Sequence, residues 1–392
     1  MQFRLPQITK PRLPFAAFTL AALAGLTLAC SSSNNNSNKN NTAATKAPAA
    51  VTTVAAGSPT AATAKSATAA AAPSPSEVLP VGVINGSPTA AATGALPALP
   101  AGGNDDPKSL VMAFVPSRDV SVIQLSADKI AAYLSKELNR PVKSVTLASY
   151  AAVTQALTSK TADIGWVGPL DYLIGHEQNG SYPVTCSLRP GDTPGSLVPG
   201  YKAFIITKTD SGINTLADLK GKSFAFGDTT STSSSLVPKG ALMKAGVNPD
   251  KDLKSVNISN QSAIAVAVYQ GKADAGAIYN DARTNKEVTD QYPDILQKTK
   301  VIYTSDLIPC DPQIVRKDLT QALAGQIRAA LLKYSGDPEG KQVLNDLFSI
   351  SALGATSDSD YDGLRNTVKA VAPDLLKGYP SPTPAPSPKP TP

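Results

Sequence analysis

Short unbroken apolar runs alternate with amphipathic stretches through the middle of the chain. Leu110 to Val115 is continuously apolar, and after Ser126, a candidate helix cap, Ile130, Leu134 and Leu138 recur at helical spacing before Pro141. The first pattern predicts a buried strand and the second a helix. The same reading gives strands at Val142 to Leu147 and Ile164 to Val167, and helices at Tyr150 to Ser159 and Pro169 to His176. A second set follows, with strands at Tyr201 to Thr207, Ser223 to Phe226, Ser255 to Ile258, Ala275 to Tyr279 and Val301 to Thr304. Its helices fall at about Thr232 to Ala245 and Ser262 to Gln270, and three amphipathic helical stretches close the domain after Ile308-Pro309-Cys310-Asp311-Pro312. Helices between strands imply parallel pairing, an α/β architecture built in two units with a return crossing.

The ends carry a different pattern. Arg4, Lys10 and Arg12 precede an apolar stretch from Leu13 to Ala29, which reads as a signal peptide over residues 1–29. It ends at Leu26-Thr27-Leu28-Ala29-Cys30 and turns at once to Ser31-Ser32-Ser33-Asn34, which resembles the lipobox of bacterial lipoproteins. That resemblance implies a lipid on Cys30 that holds the protein to the membrane outside the cytoplasm. Residues 30–106, rich in Ser, Asn, Ala, Thr and Pro, read as a disordered tether, and 379–392 as a Pro-rich tail. No later segment approaches the roughly 18 consecutive apolar residues of a spanning helix. Residues 107–378 exceed the ~250 at which single cores stop growing, so two lobes are expected, about 107–200 plus 311–378 and about 201–310.

Composition removes several function classes. A net charge of +6 over 392 residues with no basic run argues against nucleic-acid binding. The single histidine, His176, lies at a polar helix end, so neither a Ser-His pair nor a metal-ligand set is available, and no cofactor is implied. With Cys30 assigned to lipid, Cys186 and Cys310 are too few for a disulfide framework, and two buried thiols are the favoured reading over a bond.

Ligands of open α/β sheets sit where strands hand over to helices. Four junctions carry suitable polar residues: Ser149-Tyr150, Gly227 to Ser235, Ser259-Asn260-Gln261-Ser262 and Tyr279-Asn280-Asp281. The second, Gly227-Asp228-Thr229-Thr230-Ser231-Thr232-Ser233, gathers hydroxyls at a helix start, where free N–H groups and the helix dipole attract an anion. An ordinary N-cap in a Ser/Thr-rich loop explains the same pattern, and composition alone leaves both open.

Ser149-Tyr150-Ala151, the Gly-Asp-x-x-Ser-Thr-Ser run ending in Leu236-Val237-Pro238, and Ile308-Pro309-Cys310-Asp311-Pro312 together resemble the phosphate/phosphite/phosphonate-binding proteins of ABC transporters, over about Val111 to Ala372. The resemblance implies the two-lobed periplasmic-binding-protein-like type II fold, with the ligand in the interlobe cleft and permease and ATPase subunits as partners. It further implies that Ser231, Thr232 and Ser233 bind the oxyanion and that Tyr150 donates its phenol from the other lobe. Asp281 and Asp311 would face the ligand's far end. Asn260 stands where the family often has a histidine, and Val167 where some aminoalkylphosphonate binders have a tyrosine. Trp166 and Tyr279 are candidates for the cleft wall as well as for the core.

An ionised carboxylate only accepts hydrogen bonds, so carboxylates beside an anion require a donor on the ligand. A phosphorus–OH or an ammonium tail supplies one, and fully ionised sulfate does not. A monomeric, non-catalytic receptor for a small phosphorus oxyanion is therefore the reading carried forward. Its rivals are a sensor or adhesion module using the Pro-rich tail, and a same-fold receptor for a sulfonate or thiamine-like cation.

Overall fold

A computed structural model describes residues 96–377. They lie within Pro75–Pro392, the second of two units into which the chain divides. The first unit, and with it the expected signal peptide, Cys30 and most of the tether, lies outside the described residues, as does the Pro-rich tail.

The chain opens with β1 (Leu110–Phe114), α1 (Val120–Glu137), β2 (Val142–Thr146), α2 (Tyr150–Thr158), β3 (Ile164–Trp166) and α3 (Pro169–Asn179). It continues through β4 (Tyr182–Pro190) and β5 (Leu197–Val198). Strands β1, β2 and β3 pair in parallel, as helical crossovers require. Alternation along β1 sends Leu110, Met112 and Phe114 to a core shared with α1, and Ala113, with Val115 just past the strand, to a core shared with α2 and α3. A strand covered on both faces needs no polar side, which is why β1 reads as an unbroken apolar run.

The chain then crosses through β6 (Gly200–Tyr201) into β7 (Ala203–Lys208) and β8 (Ser223–Phe226). A π-helical turn at Thr232–Leu236 runs directly into α4 (Val237–Lys244). β9 (Lys254–Asn257), α5 (Gln261–Tyr269), β10 (Ala275–Tyr279), α6 (Lys286–Thr289), α7 (Ile295–Lys298) and β11 (Thr299–Thr304) complete a five-stranded sheet ordered β11-β7-β10-β8-β9. The return runs through β12 (Ile308–Pro309), which pairs antiparallel with β6, so the two crossings lie side by side. Then β13 (Pro312–Val315), α8 (Gln321–Gly336), α9 (Pro338–Phe348), β14 (Ala352–Gly354) and α10 (Asp362–Val371) rejoin the first lobe. β13 enters from the opposite side and pairs antiparallel with both β3 and β4, giving the order β14-β4-β13-β3-β1-β2, with β5 paired to β4. The architecture is the two-lobed α/β fold expected above.

Three local expectations change. Helix α1 begins before Ser126, because Asp119 caps it by accepting the Ser121 N–H at 2.9 Å, which leaves Ser126 buried on the inner face. The tether does not run free to residue 106. Arg328 donates to the Pro97 carbonyl at 2.6 Å, Arg316 pairs with Asp105 at 2.6 Å, and the Asp105 N–H donates to Asp318 at 2.9 Å. These backbone and ionic anchors hold a Gly- and Pro-rich segment that has little apolar surface of its own.

Cys186 and Cys310 are not two thiols; they form a disulfide, with Cα atoms 5.7 Å apart. The pairing of β4 with β13 explains it: Pro312 lies opposite Cys186, so the chain just before β13 passes over the Cys186 side chain. Residues separated by 124 positions give no such signal before the strand register is known.

Candidate functional site

The hydroxyl turn forms where β8 ends. Gly227 is required there, since a Cβ at that position would lie 1.7 Å from the Ser234 hydroxyl. Ser231 caps the π-helical turn, accepting the Ser234 N–H at 3.3 Å and the Ser234 hydroxyl at 2.7 Å. Thr232 and Ser233 occupy the first positions after it, where backbone N–H groups have no acceptor within the helix. All three residues are buried and line an interlobe cavity. The turn is thus a cap and a cavity wall at once, and π-helical turns of this kind recur at ligand sites.

The first lobe closes over it. The Leu170 N–H, at the start of α3, donates to Thr232 Oγ1 at 2.9 Å, and the Gln261 N–H donates to the Ser117 carbonyl at 2.9 Å. Tyr150, at the start of α2, lines the cavity beside Ser231. Tyr201 lies between Ser233 and Asp311. Burial raises the pKa of the Tyr150, Tyr201 and Tyr279 phenols, which stay protonated and able to donate. Tyr279 lines the wall, its oxygen accepting from the Asn285 amide at 3.0 Å. Trp166 serves two roles, presenting a face to the cavity while stacking on Phe114 with ring centroids 5.3 Å apart.

Asp311 also reaches the cavity. Burial pushes its carboxyl up from the usual range, and the Arg189 guanidinium, 2.7 Å from Oδ2, and the Tyr201 hydroxyl pull against that. Two expected site residues are not brought there. Asn260 caps α5, its Oδ1 accepting the Ala263 N–H at 3.0 Å, and the next residue, Gln261, lines the cavity instead. Asp281 forms a two-pronged ion pair with Arg283, at 2.7 Å to each oxygen. The physical reason is local in both cases: a helix N-cap and an adjacent guanidinium each claim the side chain.

Sequence reasoning missed Ser187, Arg189 and Gln313, all on β4 or β13. β4 carries Thr185, Ser187 and Arg189 at alternate positions, all buried. Polar residues on a strand covered on both sides break the apolar pattern, so the strand did not register. Gln313 ties them together, accepting from Thr185 at 2.8 Å and donating to Ser187 at 3.1 Å. Period-two spacing of Thr185, Ser187 and Arg189 was the available signal. The cavity measures about 40 Å³, room for roughly three waters or one tetrahedral anion.

Residues 112–361 match the sequence profile of the ABC transporter phosphonate, periplasmic substrate-binding protein family. The chain belongs to this family. It is similar to the phosphate-import protein PhnD of Mycolicibacterium smegmatis, 26% identical over 317 residues that cover 74% of this chain and 97% of that protein. Among solved structures it resembles the binding-protein component of an ABC phosphonate transporter from Pseudomonas aeruginosa, with a TM-score of 0.59 and 25% identity, over 66% of this chain and 85% of that one. It shares the fold of PhnD1 from Prochlorococcus marinus, solved with methylphosphonate, at a TM-score of 0.58 and 21% identity over 68% and 98% of the two chains. Members of this family are extracytoplasmic substrate-binding components of importers.

Proposed function

We propose that the chain captures one small phosphorus oxyanion between its lobes, carries out no chemistry on it, and presents the closed form to an importer's permease and ATPase subunits. The observation that carries this reading is the meeting of Ser231, Thr232 and Ser233 from one lobe with Tyr150 and Asp311 from the other around a single small cavity. Hydroxyl and N–H donors on one side suit ionised phosphorus oxygens. Asp311 opposite them accepts from a phosphorus–OH and repels sulfate, which has no proton to give. Only the closed arrangement offers both sets at once, so ligand shifts the lobes toward it. The disulfide suits an oxidising compartment, and the Cys30 motif supports a receptor tethered by lipid at the membrane surface, which we take to act as a monomer.

Thr232→Val tests the turn, because it keeps the volume and removes the hydroxyl. It leaves the Leu170 N–H without its acceptor and deletes a donor to a charged ligand, each worth about 1–3 kcal/mol. Calorimetry with whichever of phosphate, phosphite and methylphosphonate binds the wild type most tightly should show at least a tenfold weaker Kd. Unchanged affinity would reduce the turn to a helix cap.

A further inference from the structure

The cavity holds a cation whose donors are mostly unspent. Arg189 is only 3% exposed and lines the cavity. One of its nitrogens, Nη2, is engaged, donating to Asp311 Oδ2 at 2.7 Å and to the Phe348 carbonyl at 3.4 Å. Its Nε and Nη1 are buried with no hydrogen-bond partner, while the face of the guanidinium lies over the Tyr201 ring, 5.0 Å from its centroid. A guanidinium carries five N–H donors, so three of them face no acceptor. Buried donors of a charged group are rarely left this way unless something else supplies the oxygens.

The charge balance follows from the same pair. Among the residues lining the cavity, Arg189 and Asp311 form the one ion pair, 2.7 Å apart, and the three phenols are protonated. Asp281, the second carboxylate expected at the ligand's far end, is spent on Arg283 outside the cavity. The far end is therefore neutral in sum, and its one carboxylate already has a guanidinium against it. An ammonium group brought to Asp311 would sit beside that guanidinium and be repelled, with no second carboxylate to offset it.

We propose that Arg189 contacts the ligand directly, its free donors taking ionised oxygens, and that the Arg189–Asp311 pair restricts the cargo to compact oxyanions without a cationic tail. This rests on the oxyanion reading above and narrows it. Phosphate, phosphite and methylphosphonate satisfy the pair, each offering ionised oxygens for Arg189 and, when singly protonated, an O–H for Asp311. Aminoalkylphosphonates do not.

Calorimetric titration of the full chain with phosphate, phosphite, methylphosphonate and 2-aminoethylphosphonate tests the claim without any variant. The tightest of the first three should bind at least 100-fold more strongly than the fourth. Arg189→Lys, which keeps the charge and loses the fork, should weaken that ligand at least tenfold, and Arg189→Met should weaken it further while narrowing its advantage over 2-aminoethylphosphonate. Binding of 2-aminoethylphosphonate as tight as the others in the wild type would overturn the proposal while leaving the oxyanion reading in place. So would unchanged affinity in a folded Arg189→Lys protein. If none of the four binds, the oxyanion reading fails and takes this one with it.

Discussion

Replacing Glu287 by alanine is expected to weaken ligand binding by about 10- to 100-fold and to expand the ligand-free protein in solution. Arg118 follows β1 in the first lobe, where its Nη1 donates to the carbonyls of Asp346 at 2.8 Å and Leu347 at 3.1 Å. Its Nε and Nη2 cross to the second lobe and hold both oxygens of Glu287, at 3.0 and 2.5 Å. Ser262 adds a hydroxyl to the same carboxylate at 2.8 Å. Arg118 is 4% exposed and Glu287 19%, so the pair is largely dry. Removing one partner of such a pair costs about 3–5 kcal/mol, because the other charge stays buried alone. Here opening the lobes lets Arg118 reach water, so much of that cost appears as a shift toward the open form. Apparent affinity then falls with the fraction still able to close.

Acid should act in the same direction. Burial alone would raise the Glu287 carboxyl, but the hydrogen bond and charge of Arg118, with the Ser262 hydroxyl, outweigh it and hold the pKa below its ordinary 4.5. A depressed carboxylate contributes closure that is complete above its unfolded value and lost as pH falls through its folded one. Small-angle scattering on the ligand-free protein should therefore show expansion below about pH 4.5 in the wild type and at neutral pH in Glu287→Ala. Glu287→Gln, which keeps an acceptor for Arg118, should fall between. A variant with wild-type dimensions and affinity would show that the Arg118–Glu287 pair does not hold the lobes together.

Loss of the Cys186–Cys310 bond should lower stability by about 2–5 kcal/mol, toward the upper end because the closed loop spans 124 residues. The bond ties β4, next to β13 in the first sheet, to the second crossing, one residue before Asp311. Its loss should also loosen Asp311 and lower affinity, whereas a bond placed elsewhere in the fold would affect stability alone. Thermal unfolding with and without reductant, and of a Cys186→Ala, Cys310→Ala double variant, measures the first effect. A thiol titration of the denatured, unreduced chain should find at most one of its three cysteines free. Two further free thiols and an unchanged melting temperature would contradict the bond.

Most of the fold was legible because its strands are of the kind that announce themselves. β1, β8 and β10 are short and apolar, and their limits follow the hydrophobic runs closely. β4 did not show, since it buries Thr185, Ser187 and Arg189 against Gln313 and the cavity and so lacks the apolar signature. The site divides along the same line. The hydroxyl turn and Tyr150 could be read because strand-to-helix junctions are local features, and their resemblance to a known family is carried by contiguous residues. Arg189 and the disulfide depend on which strands lie side by side, a fact no window of sequence contains. Asn260 and Asp281 show the converse: each occupies a plausible junction, and each is claimed by a neighbour two or three residues away.

The proposed preference for a phosphorus oxyanion rests on Asp311, a carboxylate that demands a proton from the ligand within a cavity otherwise lined by donors from both lobes. Calorimetric titration of the full chain with phosphate, phosphite, methylphosphonate and sulfate tests it most directly. At least one phosphorus oxyanion should bind one-to-one, with sulfate at least 100-fold weaker. Sulfate binding as tightly as the best of them, or no binding by any phosphorus oxyanion, would contradict it.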